Sequence, residues 1–400
     1  MDSVAPSSWV EFWSLDQRVT FLNHGAFGAV PLPVLDAQQQ WRKQLEQQPL
    51  RFFMREFEPL LDKARSQVAA FVGADSEELV FVPNATTGVN AVLRSLSFQP
   101  GDELLTTNLE YNACRNALNF VASRTGATVV VAQVPFPLHS PDEVINAVLA
   151  KVSPKTRLAL LDHVTSQTAL VLPIQQLVSQ LTQRGVDTLV DGAHAPGMLP
   201  LNLHEIGATY YTGNCHKWLC APKGAAFLYV QRHKQSEIRP LTISHGANSH
   251  RTDKSRFQLE FDWMGSDDPS AYLCVPEAIA FLGSLLPGGW LELMAKNHSQ
   301  ALAARQLLCE KLGVLPPCPE EMIGSMAVVP LPDVLCKYEG EQLRGVPVLQ
   351  DILFERFNIE VPINYWSTPF KLIMRMSAQL YNCQQQYEYL ADALLQLQLG

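Results

Sequence analysis

The chain predicts an α/β fold: a mostly parallel seven-stranded sheet with helices on both faces, followed by a smaller α+β region. Two observations lead there. Seven short apolar runs fall at residues 79–83, 103–107, 128–134, 157–164, 188–190, 208–212 and 225–230. Most are continuously apolar, rich in Val, Leu, Ile or Tyr, as strands covered on both faces should be. Amphipathic stretches at 88–96, 112–123, 141–150 and 174–184 separate several of them. Strand–helix alternation of this kind builds an open parallel sheet, and ligands gather at the C-terminal ends of its strands.

The other elements follow in order. After a loop at 23–28, residues 34–48 and 56–71 read as helices. Gly73, Gly101, Gly126 and Gly185 stand where helices give way to strands, the expected C-terminal punctuation. Beyond about residue 285, helical patterns at 290–312 and 384–397 flank short strands near 327–331 and 372–376. Pro287-Gly288-Gly289 marks a junction. The expected division is an N-terminal segment 1–30, a large α/β domain 31–285 and a small C-terminal α+β domain 286–400.

Composition narrows the functional classes. Hydrophobic residues make up 47% and charged residues 17% of 400, enough for a sizeable core. A formal net charge of −9 argues against nucleic acid as a partner, because phosphate backbones are held by surplus cationic side chains. No apolar run is long enough for a transmembrane helix, so no membrane partner is expected. The first residues lack the basic start and apolar stretch of a secretory leader. Eight scattered cysteines form neither a C-x-x-C pair nor a metal-like cluster with histidine. They read as reduced thiols of a cytoplasmic protein, and no metal site is expected.

The chemistry starts from Lys217, which follows the strand at 208–212, and Asp191, which ends the strand at 188–190. A lysine placed after a buried strand is desolvated, which favours the neutral amine that attacks an aldehyde. A buried aspartate needs a cationic partner, unless it caps the next helix. An amine and a carboxylate on one sheet edge suit pyridoxal 5′-phosphate (PLP): a Schiff base on Lys217, and a pyridinium nitrogen kept protonated by Asp191. His194 is either a donor to the cofactor's 3-oxygen or a satisfied loop residue. Thr86 and Thr87, where a strand ends and a helix opens, suit a phosphate held by free N–H groups. Asn214 and His216 can add donors there. Tyr111 is a ring-stacking aromatic or a core tyrosine, and Ser166 can reach the 3-oxygen. Arg375, embedded in an apolar strand, needs a planar anion, either a substrate carboxylate or an internal partner.

Together these residues resemble class V aminotransferases, a branch of the fold type I PLP-dependent transferases. The likeness runs from about residue 21 to 397 and is carried by the motifs at 21–28, 83–87, 191–194, 263–272 and 375–382. Within that class it is to isopenicillin N epimerase-like proteins. The resemblance implies Lys217 as Schiff-base lysine, Asp191 at the pyridine nitrogen, Tyr111 on the ring and Arg375 on the α-carboxylate. Thr86, Thr87, Asn214 and His216 take phosphate places. It also implies a homodimer with interfacial active sites, in which Gly265-Ser266 is lent to the neighbouring phosphate. Asn23 and His24, in the first motif, are substrate-side candidates, His24 as a second proton donor. Cysteine desulfurases of the class carry a nucleophilic cysteine ahead of the arginine, and residues 359–366 contain none. The expected reaction is therefore proton removal at Cα of an amino acid or amino-acyl substrate. Epimerisation is expected, with carbon–sulfur lysis, transamination or a silent PLP-binding module as alternatives.

Overall fold

A computed structural model describes residues 6–338, 347–366 and 369–399. Residues 1–5, on which the leader expectation partly rests, lie outside them. Helices α1 (Leu32–Gln47) and α2 (Phe57–Val72) precede the large sheet. Its strands are β1 (Leu79–Val82), β2 (Glu103–Thr107), β3 (Thr128–Ala132), β4 (Thr156–Asp162), β5 (Asp187–Asp191), β6 (Tyr210–Asn214) and β7 (Ala226–Val230). Their spatial order is β1-β7-β6-β5-β4-β2-β3. All pairings are parallel except those of β7, which runs against both neighbours. The reason is loop length. Residues 215–225 between β6 and β7 carry no helix, and so short a loop can return a chain only antiparallel.

Helices α3 (Ala85–Ser95), α4 (Asn112–Thr125), α5 (Pro141–Leu149) and α6 (Ile174–Thr182) make the crossovers. Gly73 and Gly126 end α2 and α4 in the left-handed conformation (φ 66° and 76°), where a Cβ would be strained. Two boundaries differ from expectation in ways that shape the site. Helix α3 starts at Ala85 rather than 88 because the Asn84 side chain caps it, accepting the Thr87 N–H at 2.8 Å. Strand β6 runs on to Asn214, so that residue ends a strand instead of lying in the loop.

Helix α7 (Val275–Ser284) leads to α8 (Gly289–Leu312) across the Pro-Gly-Gly junction, where the segments Ser270–Ser284 and Gly289–Leu312 meet at 73°. A three-stranded antiparallel sheet follows, formed by β8 (Met326–Pro330), β9 (Ile363–Tyr365) and β10 (Leu372–Ser377) in the order β9-β10-β8. Helix α9 (Val348–Phe357) lies between β8 and β9, and α10 (Gln384–Leu399) closes the chain against α8. Thr20–Phe21 pairs in parallel with Ile359–Glu360, and the Ser377 N–H bonds the Leu22 carbonyl at 2.9 Å. The N-terminal loop is thereby fixed beside β10. One continuous apolar cluster joins the large sheet, α2, α8, α10 and the small sheet.

Candidate active site

Register sets the floor of the site. Asp162 pairs with Asp191, and Asp191 with Thr212, so the ends of β4, β5 and β6 lie side by side. Asp191 is 2% exposed, with no cation at ion-pair distance among the described residues. Its Oδ1 accepts the Ala193 N–H at 2.9 Å, and its Oδ2 accepts the Cys114 thiol at 3.1 Å. Burial raises its pKa, while those two bonds and the Lys217 charge pull it down.

Lys217 lies on the β6–β7 loop with its Nζ 3.0 Å from His194 Nε2. The Trp218 indole N–H donates to His194 Nδ1 at 3.4 Å, which places the imidazole proton on Nε2 and aims it at Nζ. A bond of that polarity needs an amine with a free lone pair. Burial agrees: desolvation first, then the Arg375 charge, lower the Lys217 pKa to about 7. His194 is likewise held neutral, well below the usual histidine range, by desolvation and the Lys217 charge.

The helix end nearby is an anion cradle. Ala85 N–H bonds Asn214 Oδ1 at 2.8 Å, so β6 fixes the start of α3. The hydroxyl of Thr86 and the Nδ2 of Asn214 make no protein hydrogen bond among the described residues. Gly88 is required there, because a Cβ would fall 2.3 Å from the Thr212 hydroxyl. His216 bonds the Ala225 carbonyl through Nδ1 at 3.0 Å, leaving Nε2 open, and desolvation lowers its pKa to about 4. Ser266 shares a cavity with Thr87 and Gly265 inside one chain. The expected loan of Ser266 to a second subunit therefore rests on the resemblance alone.

Arg375 enters from β10. Its Nη1 donates to the Ser166 carbonyl at 2.6 Å and its Nη2 to Asn23 Oδ1 at 3.3 Å. Its Nε is buried with no partner among the described residues, and desolvation lowers its pKa to about 10. No carboxylate neutralises it among the described residues, so the internal ion pair considered from sequence is not formed. Tyr111 stands at the N-cap position of α4 and is 44% exposed. It is not a core tyrosine.

One sequence expectation, His24, needs correction. His24 is fully buried behind Trp218 (ring centroids 4.8 Å apart), with Nδ1 on the Tyr381 hydroxyl at 2.8 Å and Nε2 on the Lys217 carbonyl at 3.1 Å. Both ring nitrogens are occupied and burial lowers its pKa to about 3, so it shapes the lysine loop and offers no proton to a substrate. Ser166 acts on Arg375 through its carbonyl, and its hydroxyl has no protein partner among the described residues. The sequence reading also missed Cys114, Asp162 and Glu110. Glu110 lies before the cap of α4 and Cys114 on its first turn, so no helical periodicity linked them in the sequence.

The residues fit PLP: a buried acid lacking a cation, a buried amine lacking an acid, a helix start lacking an anion and a buried guanidinium lacking a carboxylate. Residues 20–283 match the family model "Aminotransferase class-V". The chain belongs to the class V aminotransferases. Members of this family are PLP-dependent enzymes, and so is this one. It is 36% identical to an isopenicillin N epimerase of Amycolatopsis lactamdurans, covering 96% of each chain. It is 32% identical to a putative L-cysteine desulfhydrase 1 of Oryza sativa subsp. japonica, over 97% of this chain and 85% of that protein. The fold also matches the cystine C–S lyase C-DES in complex with cysteine persulfide, with a TM-score of 0.76 and 22% identity over 94% and 97% of the two chains. The observed sheet and the likeness to solved structures bear out the expected seven-stranded, mostly parallel α/β fold, and the family bears out the expected PLP cofactor.

Proposed function

We propose that this class V enzyme removes the Cα proton of an amino acid or amino-acyl substrate and returns a proton to the opposite face, an epimerisation. When bound, PLP supplies the electron sink that makes the Cα proton acidic. Lys217 would hold its aldehyde, Asp191 its ring nitrogen, and the start of α3 its phosphate. Arg375, held by Ser166 and Asn23, orients the substrate α-carboxylate through two parallel hydrogen bonds. Lys217 takes the Cα proton, its amine kept neutral by burial.

One observation carries the epimerase reading. A neutral amine on the β6–β7 loop and the Tyr111 phenol after β2 flank the strand end that bears Asp191. The phenol replaces His24 as the second proton donor. Burial first, then Cys114 and Asp191, raise its pKa, so it holds its proton at neutral pH. The 36% identity to an isopenicillin N epimerase supports the same reading. The desulfhydrase relatives support a second one, carbon–sulfur lysis, in which the same proton is taken and a thiol leaves from Cβ. A homodimer and a cytoplasmic location belong to the proposal.

Incubation with L-amino acids in deuterated water separates the two. Deuterium at Cα with inversion is expected, and Tyr111→Phe should keep exchange while losing inversion. Sulfide or keto acid without racemised substrate would overturn epimerisation in favour of lysis.

A further inference from the structure

Beside Tyr111 and Ser166 opens a cavity of about 700 Å³, lined by loops from the C-terminal side of β2, β3 and β4 and by Asn364 of β9. It adjoins the substrate end of the site, because Ser166 on its wall is the residue whose carbonyl fixes Arg375. A space of this size is that of a pocket for a whole small ligand. A cysteine side chain, one methylene and one sulfur, would leave it almost empty.

Its wall mixes polar and apolar groups and carries one uncompensated cation. Arg115, on the first turn of α4, donates from Nη2 to the Thr107 carbonyl at 3.3 Å. Its Nε is buried with no partner, and its Nη1 has none among the described residues. No carboxylate reaches ion-pair distance of it among the described residues. Glu110, also on the wall, does not supply a negative charge: burial first, then Asp162 and Asp191, raise its pKa well above the carboxylate range. The side-chain amides of Asn112, Gln133, Gln167 and Asn364 complete the lining and make no protein hydrogen bonds among the described residues. A guanidinium half withdrawn from water and left without a counter-charge is a site for an anion.

We infer that this cavity is the subsite for the substrate side chain, and that Arg115 selects an extended side chain ending in a carboxylate. The substrate is then held at both ends, its α-carboxylate on Arg375 and its distal carboxylate on Arg115. The inference rests on the reading of Lys217 and Arg375 given above and adds the class of amino acid. It accounts for a pocket far larger than cysteine needs on a scaffold shared with desulfhydrases.

The test uses the PLP-loaded enzyme and its absorbance change on substrate binding. The probes are L-aspartate, L-glutamate, L-2-aminoadipate and L-2-aminopimelate, with L-alanine, L-cysteine and L-norleucine as controls. At least one dicarboxylic acid is expected to bind about tenfold or more tightly than norleucine, the effect of one charge-assisted hydrogen bond. Arg115→Gln should erase that preference and leave alanine and cysteine binding within about twofold. Arg115→Lys, which keeps the charge, should retain part of it. Tighter binding of cysteine than of every dicarboxylic acid, or a preference that survives Arg115→Gln, would overturn the inference while the Cα chemistry stands. Absence of any absorbance change with all seven probes would bring down the underlying reading and this inference with it.

Discussion

Replacing Lys217 by methionine in the cofactor-free protein probes the central electrostatic claim directly. Burial lowers the lysine pKa from the usual 10.5 to about 7. At about 1.36 kcal/mol per pH unit, that drop makes folding with a charged Lys217 cost up to about 5 kcal/mol. The direction follows from proton counting. Below pH 7 both folded and unfolded chains carry the proton, and the full cost is present. Between pH 7 and 10.5 only the unfolded chain carries it, so wild-type stability rises with pH. Lys217→Met has no proton there to lose. The variant should therefore be the more stable protein at pH 6, by several kcal/mol. Its advantage should shrink by about 2 kcal/mol between pH 7 and pH 9. Urea denaturation of both proteins across that range measures the difference, and titrations of groups that do not feel the Lys217 charge cancel. A difference that stays flat from pH 6 to 9 would refute the reasoning, because it would mean that the amine is charged and solvated.

Two further outcomes are expected. Gly192→Ala would place a Cβ 2.2 Å from the Tyr211 ring, whose hydroxyl is fixed on His163 at 2.9 Å, so neither side can yield cheaply. A loss of about 1–3 kcal/mol is expected, and a urea midpoint unchanged from wild type would contradict it. The homodimer should show twice the chain mass of 44.5 kDa by light scattering. Its support is apolar exposure near the site: Leu241 and Met54 line neighbouring cavities with Trp263, and Phe27 is 74% exposed. A monomer at micromolar concentration would count against it.

Much of the fold was legible because the large sheet announces itself twice, in continuously apolar strands and in the helices between them. Runs such as 103–107 and 225–230 match β2 and β7 to within a residue. Short elements were not legible. Ile363–Tyr365 and the Thr20–Phe21 pair are too brief to show a period, and their strand geometry is imposed by partners distant in sequence. The site divides the same way. Lys217 and Asp191 were readable because each is a charge at the end of an apolar run, where burial has to be justified. His24 misled because a histidine in a glycine-rich loop looks reactive, whereas its surroundings, Trp218 with the Lys217 carbonyl and Tyr381, come from two parts of the chain distant from it in sequence.

The sequence by itself determined the order of strands and helices, the pairing of a basic with an acidic residue at strand ends, and a helix start fit for phosphate. These depend on local pattern and on what burial of a charge demands. Tertiary structure alone decided that His194 and Trp218 polarise Lys217, that Cys114 reaches Asp191, and that, among the described residues, Arg375 keeps one nitrogen unpaired and Arg115 faces an open cavity without a counter-charge. Each of those facts joins residues from different elements. Desolvation and hydrogen-bond geometry act on neighbours in space, and strand register fixes who those neighbours are.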